Sequence, residues 1–138
     1  MVKESYTPQV TIQIEKNNSV SSSERVKNAV AEKIVEYFTE KKSLGEIISM
    51  SDLYQKIISI GSVASISMKD NKSGREYYGL SFVKFTPDII NSSDIKTFTQ
   101  IDRLENFQYP ELVLDLERLK SIIEITNDGI YNLKNEQI

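Results

Sequence analysis

An α+β fold is predicted for this chain, a small antiparallel sheet with two helices on one face, and three observations predict it. Val10, Ile12 and Ile14 alternate with polar residues; apolar side chains recur at helical spacing between Ser21 and Lys41; alternation then returns at Ala64, Ile66 and Met68 and again at Tyr78, Leu80 and Phe82. A period of two buries one face of a strand, and a period near 3.6 buries one stripe of a helix. The predicted order is β-α-α-β-β, followed by a C-terminal arm with a hairpin.

Each element has a local cause. The first strand ends at Asn17-Asn18-Ser19. Ser21 and Glu24 have capping-box spacing, so Ser21 or a neighbouring serine should cap the first helix. Val26, Ala29, Val30, Ile34, Tyr37 and Phe38 form its apolar stripe, with Lys27, Asn28, Glu32 and Glu36 turned away, and the helix should run to about Lys41. Leu44-Gly45 interrupts the pattern, Ile47 and Ile48 give a short apolar anchor, and Ser51 with Asp52 should cap a second helix carrying Leu53, Ile57 and Ile58. Gly61 suits a left-handed stop. The last two strands are joined by the polar turn from Asp70 to Gly74. The expected core is Ile12, Ile14, Val30, Ile34, Phe38, Leu53, Ile57, Ile66, Leu80 and Phe82.

Beyond Phe85 the periodicity stops, and turn clusters at Thr86-Pro87-Asp88 and Asn91 to Asp94 place a boundary there. The predicted organisation is a core domain over 1–86 and an assembly segment over 87–138. Between Leu112 and Lys120 the charges leave helix or strand open, and Asp128-Gly129 reads as a hairpin turn. Phe107, Tyr109, Pro110, Leu112, Leu114 and Leu116 are too apolar to face water together, which marks them as candidate partner-binding residues.

The 138 residues carry 17 basic and 20 acidic side chains, for a net charge of -3, with no basic block that would mark a nucleic-acid footprint. The absence of Cys and His removes disulfides, thiolate or imidazole metal sites, catalytic triads and imidazole bases. No apolar run reaches the roughly 20 residues of a membrane span, and the N-terminus lacks a signal-peptide centre. Cytoplasmic synthesis without membrane insertion is the expectation.

Three constellations invite a functional reading, and each has a plainer one. Asp115 with Glu117, and Asp102 with Glu105, read as solvated surface groups, because acid–base work needs environments that separate two pKa values. Tyr37-Phe38 and Tyr77-Tyr78 could stack on a base or sugar, but Phe38 and Tyr78 fall on core positions. The Asp70 to Gly74 turn lacks the alternate acidic ligands of an EF-hand loop. No enzyme activity, cofactor or metal is predicted.

The run Val10-Thr-Ile-Gln-Ile14, Ser23-Glu-Arg-Val26, Ile34-Val-Glu-Tyr-Phe38, Leu44-Gly45, Ile48, Ser51-Asp-Leu53, Ile57 and Ile60-Gly-Ser-Val63 resembles the C-terminal part of the baseplate J-like family of contractile-tailed phages. Phe82-Val-Lys-Phe85 and Phe107-Gln-Tyr-Pro110 look like the strand and proline-bearing arm that follow in baseplate wedge proteins of that family. The match covers roughly half of the chain, and family members are usually several times longer. The resemblance implies a structural component of a tail baseplate wedge, sited in the virion tail and assembled in the host cytoplasm. It would associate with itself, as a homodimer or ring, and with other wedge proteins. The alternative is a ferredoxin-like regulatory domain that binds a small ligand at a dimer interface.

Overall fold

The N-terminal segment, which carries no apolar alternation, is a strand at the middle of a sheet. The computed structural model describes residues 2–8, 10–17, 22–85, 96–98 and 101–126. The first half of the chain runs β1 (Val2–Pro8), β2 (Thr11–Lys16), α1 (Ser23–Glu40), β3 (Ile47–Ser49), α2 (Met50–Ile58), β4 (Val63–Asp70) and β5 (Arg75–Tyr78). It continues through β6 (Phe82–Phe85), β7 (Lys96–Phe98), β8 (Ile101–Arg103), β9 (Gln108–Leu112), α3 (Leu116–Ser121) and β10 (Ile123–Thr126).

The α+β class holds, but the single antiparallel sheet does not. Strands assemble in the orders β7-β6-β1-β9 and β10-β2-β4-β5, with β3 and β8 as a separate pair. Both larger sheets are mixed, because β9 runs parallel to β1 and β10 parallel to β2. Two consecutive N-terminal strands thus enter different sheets, and two C-terminal strands follow them. The described part of the predicted arm is woven into both sheets, and it supplies Leu104, Leu119 and Ile123 to the core. The predicted Asp128-Gly129 hairpin lies outside the described residues.

The ten residues named as the expected core, from Ile12 to Phe82, are all buried. α1 lies against β9 and β10, with α2 and α3 beside it. Phe38 sets its ring 5.5 Å from Tyr6 and 5.9 Å from Phe82, which ties the helix to the first sheet. From the second sheet Ile12, Ile14, Ile66 and Met68 share one buried face, as their registers Ile12 to Met68 and Ile14 to Ile66 require.

Local corrections have identifiable causes. Ser22 caps α1, its side chain accepting from the Arg25 N–H, so a neighbour of Ser21 takes the role. The cap of α2 is Ser49, which accepts from the Asp52 N–H, two residues before the expected Ser51. The Tyr37 hydroxyl holds the same Ser49, accepting from its N–H at 2.8 Å and donating to its C=O at 3.2 Å. Ala64 is exposed because the β2–β4 register slips between Glu15 and Lys16, which turns Val63 inward in its place. Tyr78, Leu80 and Phe82 do not share a strand: Gly79 at φ +84° ends β5, and Phe82 starts β6 in the other sheet. Tyr78, expected in the core, is fully exposed. The open stretch after Leu112 resolves into α3, with Asp115 as its cap accepting from the Arg118 N–H at 2.9 Å.

Candidate functional site

The six candidate partner-binding residues start from one strand and its flanks, and the structure divides them. Pro110 is buried in β9, and Leu112, Leu114 and Leu116 are half-buried against the core. Tyr109 is also half-buried, opposite Lys3 of β1. Phe107 alone among them is exposed, at 54%. The apolar content that looked like an interface is therefore mostly absorbed by this chain's own packing.

Strand β9 is locked in place from both sides. The Val113 N–H donates to the Tyr6 C=O, so alternation directs the backbone groups of 109 and 111 toward β1 and those of 108, 110 and 112 away from it. On the outward side, the Gln108 C=O accepts from the Gly45 N–H at 2.9 Å, and Pro110 has no N–H to offer. The Gln108 side chain donates to Glu4 Oε2 at 2.7 Å, and Lys84 Nζ lies 3.9 Å from Glu4 Oε1. The carboxylate is 1% exposed, so it takes polar contacts from the strands on both sides of its own. Lys3 and Glu111 pair at 2.9 Å on the surface, and this hydrogen bond and its charge raise the Lys3 pKa.

The Gly45 contact also builds a surface. Gly45 adopts φ +71°, and a Cβ there would meet Asn106 Oδ1 at 3.4 Å, so the loop after α1 rests directly on the turn before β9. Leu44 and Phe107, the chain neighbours of Gly45 and Asn106, are thereby brought to neighbouring positions, 49% and 54% exposed. In the sequence Leu44 marks a break in the helical pattern and a step of the family resemblance, and it is not among the six partner-binding candidates. Its signal was that a large aliphatic stands next to a glycine in a loop, where no core is at hand.

A second exposed region lies at β5, where all four residues face solvent. Tyr77 is 43% exposed, with the Arg75 guanidinium 5.6 Å from its ring centre. On the outer face of that sheet the neighbours are polar: Ser65 donates to Glu15 Oε1 at 2.8 Å and Ser67 to Gln13 Oε1 at 3.2 Å. Among the described residues, no group of three or more acidic side chains gathers as a metal site would need, and no helix is long and apolar enough to cross a membrane. Tyr37 has its pKa raised by burial, against the lowering effect of its bond to Ser49. That phenol is a tether between α1 and the start of α2.

No family model, no curated protein and no solved structure matches this chain.

Proposed function

We propose that the chain is a structural component of a contractile phage tail baseplate wedge, without catalytic activity or cofactor, acting through self-association and contacts with other wedge proteins in the virion tail. The observation that carries this reading is the juxtaposition of Leu44 and Phe107. Both belong to segments that resemble the baseplate family, they lie far apart in sequence, and the Gly45 to Gln108 hydrogen bond brings their backbone positions side by side, each residue exposed, on a held loop and turn. Apolar anchors on a rigid rim are what an assembly contact uses. The rest of the matching run supports it by forming one packed unit through α1, β3, α2 and β4.

The test is sedimentation of the chain alone and mixed with candidate wedge proteins, beside the double variant Leu44→Asp, Phe107→Asp. Both side chains are exposed, so the variant should melt within a few degrees of the parent chain, since surface changes usually stay within about 0.5 kcal/mol. Loss of wedge binding with retained folding is expected. Undiminished binding would remove the Leu44–Phe107 surface from the account, and no binding to any wedge protein would remove the wedge assignment.

A further inference from the structure

We propose that β5 pairs with β5 of a second copy, antiparallel and centred on Tyr77, so that two four-stranded sheets join into one. Among the described residues β5 is an outer strand of its sheet, and all of its residues are exposed. Unpaired N–H and C=O groups on such an edge are a template for another strand unless a proline, a bulge or a cover blocks them.

The outward groups can be named. Gly79 donates to the Ile66 C=O at 3.1 Å, and the β4–β5 register sets Tyr78 opposite Ser67 and Tyr77 opposite Met68. Hydrogen-bonded pairs alternate along an antiparallel ladder, so Tyr77 and Arg75 bond inward to β4. Glu76 and Tyr78 therefore turn their N–H and C=O groups out of the sheet.

Symmetry then selects a register. A two-fold axis normal to the sheet keeps the helix-bearing faces of both copies on one side, so facing residues must come from positions of the same parity. Centring on Glu76 sets two carboxylates face to face, and centring on Arg75 does the same with two guanidiniums; like charges directly opposite destabilise a pair. Centring on Tyr78 sends Glu76 past the Gly79 bend to Leu80, which is no longer in the strand. Centring on Tyr77 places Glu76 opposite the partner's Tyr78. Every outward N–H and C=O of those two residues then meets an outward group of the other strand. The two Tyr77 rings stack across the axis with an Arg75 beside each, and each Glu76 carboxylate comes within reach of a Tyr78 hydroxyl.

This pairing deepens the self-association part of the assembly reading and rests on that reading for its biological role. The chain has no cysteine, so a single introduced thiol reports the register. Tyr77 would face its own copy as a non-hydrogen-bonded pair with Cα atoms about 4.5 Å apart, within the roughly 4.4–6.8 Å that a disulfide spans. Under mild oxidation the Tyr77→Cys chain should convert to a linked dimer, while Glu76→Cys, whose sulfurs would sit two residues out of register, should stay monomeric. Glu76→Pro, which removes an outward N–H that β4 does not use, should keep its melting temperature and lose self-association in sedimentation. A Tyr77→Cys chain that stays unlinked, a Glu76→Cys chain that links instead, or a Glu76→Pro chain that associates like the parent each overturns the pairing. Association that survives Glu76→Pro but is lost in the Leu44, Phe107 double variant overturns the edge and leaves the wedge reading standing. A Tyr77-linked dimer that binds no wedge protein does the reverse.

Discussion

Strands β9 and β5 both lie on the outside of a four-stranded sheet, and their outward sides are built in opposite ways. On β9 one outward carbonyl already accepts from Gly45, and Pro110 removes the donor next along. On β5 both outward residues, Glu76 and Tyr78, carry complete donor and acceptor sets, and the strand has no proline. An edge strand's availability depends on which backbone groups face out, and only secondarily on how apolar its side chains are. β9, with Tyr109, Pro110 and Leu112, looked the better interface by composition. β5, with Arg75 and Glu76, is the better one by geometry.

The largest expected effect comes from removing β9 altogether. A chain ending at Thr86 loses one neighbour each of β1 and β2, the strands β9 and β10, together with Leu104, Leu119 and Ile123, and it should show no cooperative melting transition by circular dichroism. A folded, cooperative 1–86 fragment would mean that β9 and β10 are accessories.

Two tyrosines measure the same contrast within the intact chain. Tyr6 in β1, beside β9, is fully buried against Phe38, and Tyr6→Ala should cost about 3–5 kcal/mol, the usual penalty for emptying a large aromatic site. Tyr78→Ala in β5 should stay within about 0.5 kcal/mol in denaturant titrations at low protein concentration. Equal costs at the two positions would erase the distinction between a built-in strand and a peripheral one.

The sequence made the inward positions of most elements legible, because alternation and helical spacing are local signals and the core residues named from them are buried. It did not disclose β1, whose buried face carries Glu4. That residue reads as surface until Gln108 and Lys84, far along the chain, come to meet it. The parallel partners β9 and β10 were hidden for the same reason, since nothing within either segment names a strand a hundred residues earlier. At the candidate site, Phe107 was legible as an apolar residue without local cover, whereas Leu44 and β5 needed the tertiary structure. Alternation points Tyr78 inward only if the strand continues through Gly79, whose φ of +84° ends it.

A smaller effect is expected from Tyr37, which anchors the start of α2. Tyr37→Phe leaves the buried N–H of Ser49 without its acceptor, removes the second bond to the Ser49 C=O, and should cost about 1–3 kcal/mol. Burial raises the Tyr37 pKa, so its neutral form is favoured in the folded chain. As pH passes about 10 the unfolded chain ionises first, and stability falls on the alkaline side only. Lys3 acts in the same direction: Glu111 raises its pKa, so its contribution is complete below the unfolded value and is lost as pH rises through the folded one. Melting curves taken up an alkaline series should therefore fall less steeply for Tyr37→Phe than for the parent chain; parallel curves would take the phenol out of the explanation.

The contrast between the two edges is read most directly by backbone hydrogen exchange followed residue by residue as protein concentration is raised. The amides of Glu76 and Tyr78 should become protected with concentration, that of Tyr77 should be protected throughout by its bond to β4, and the outward amide of Leu112 on β9 should not respond. Concentration-independent exchange at Glu76 and Tyr78, or rising protection at Leu112 in their place, would contradict it.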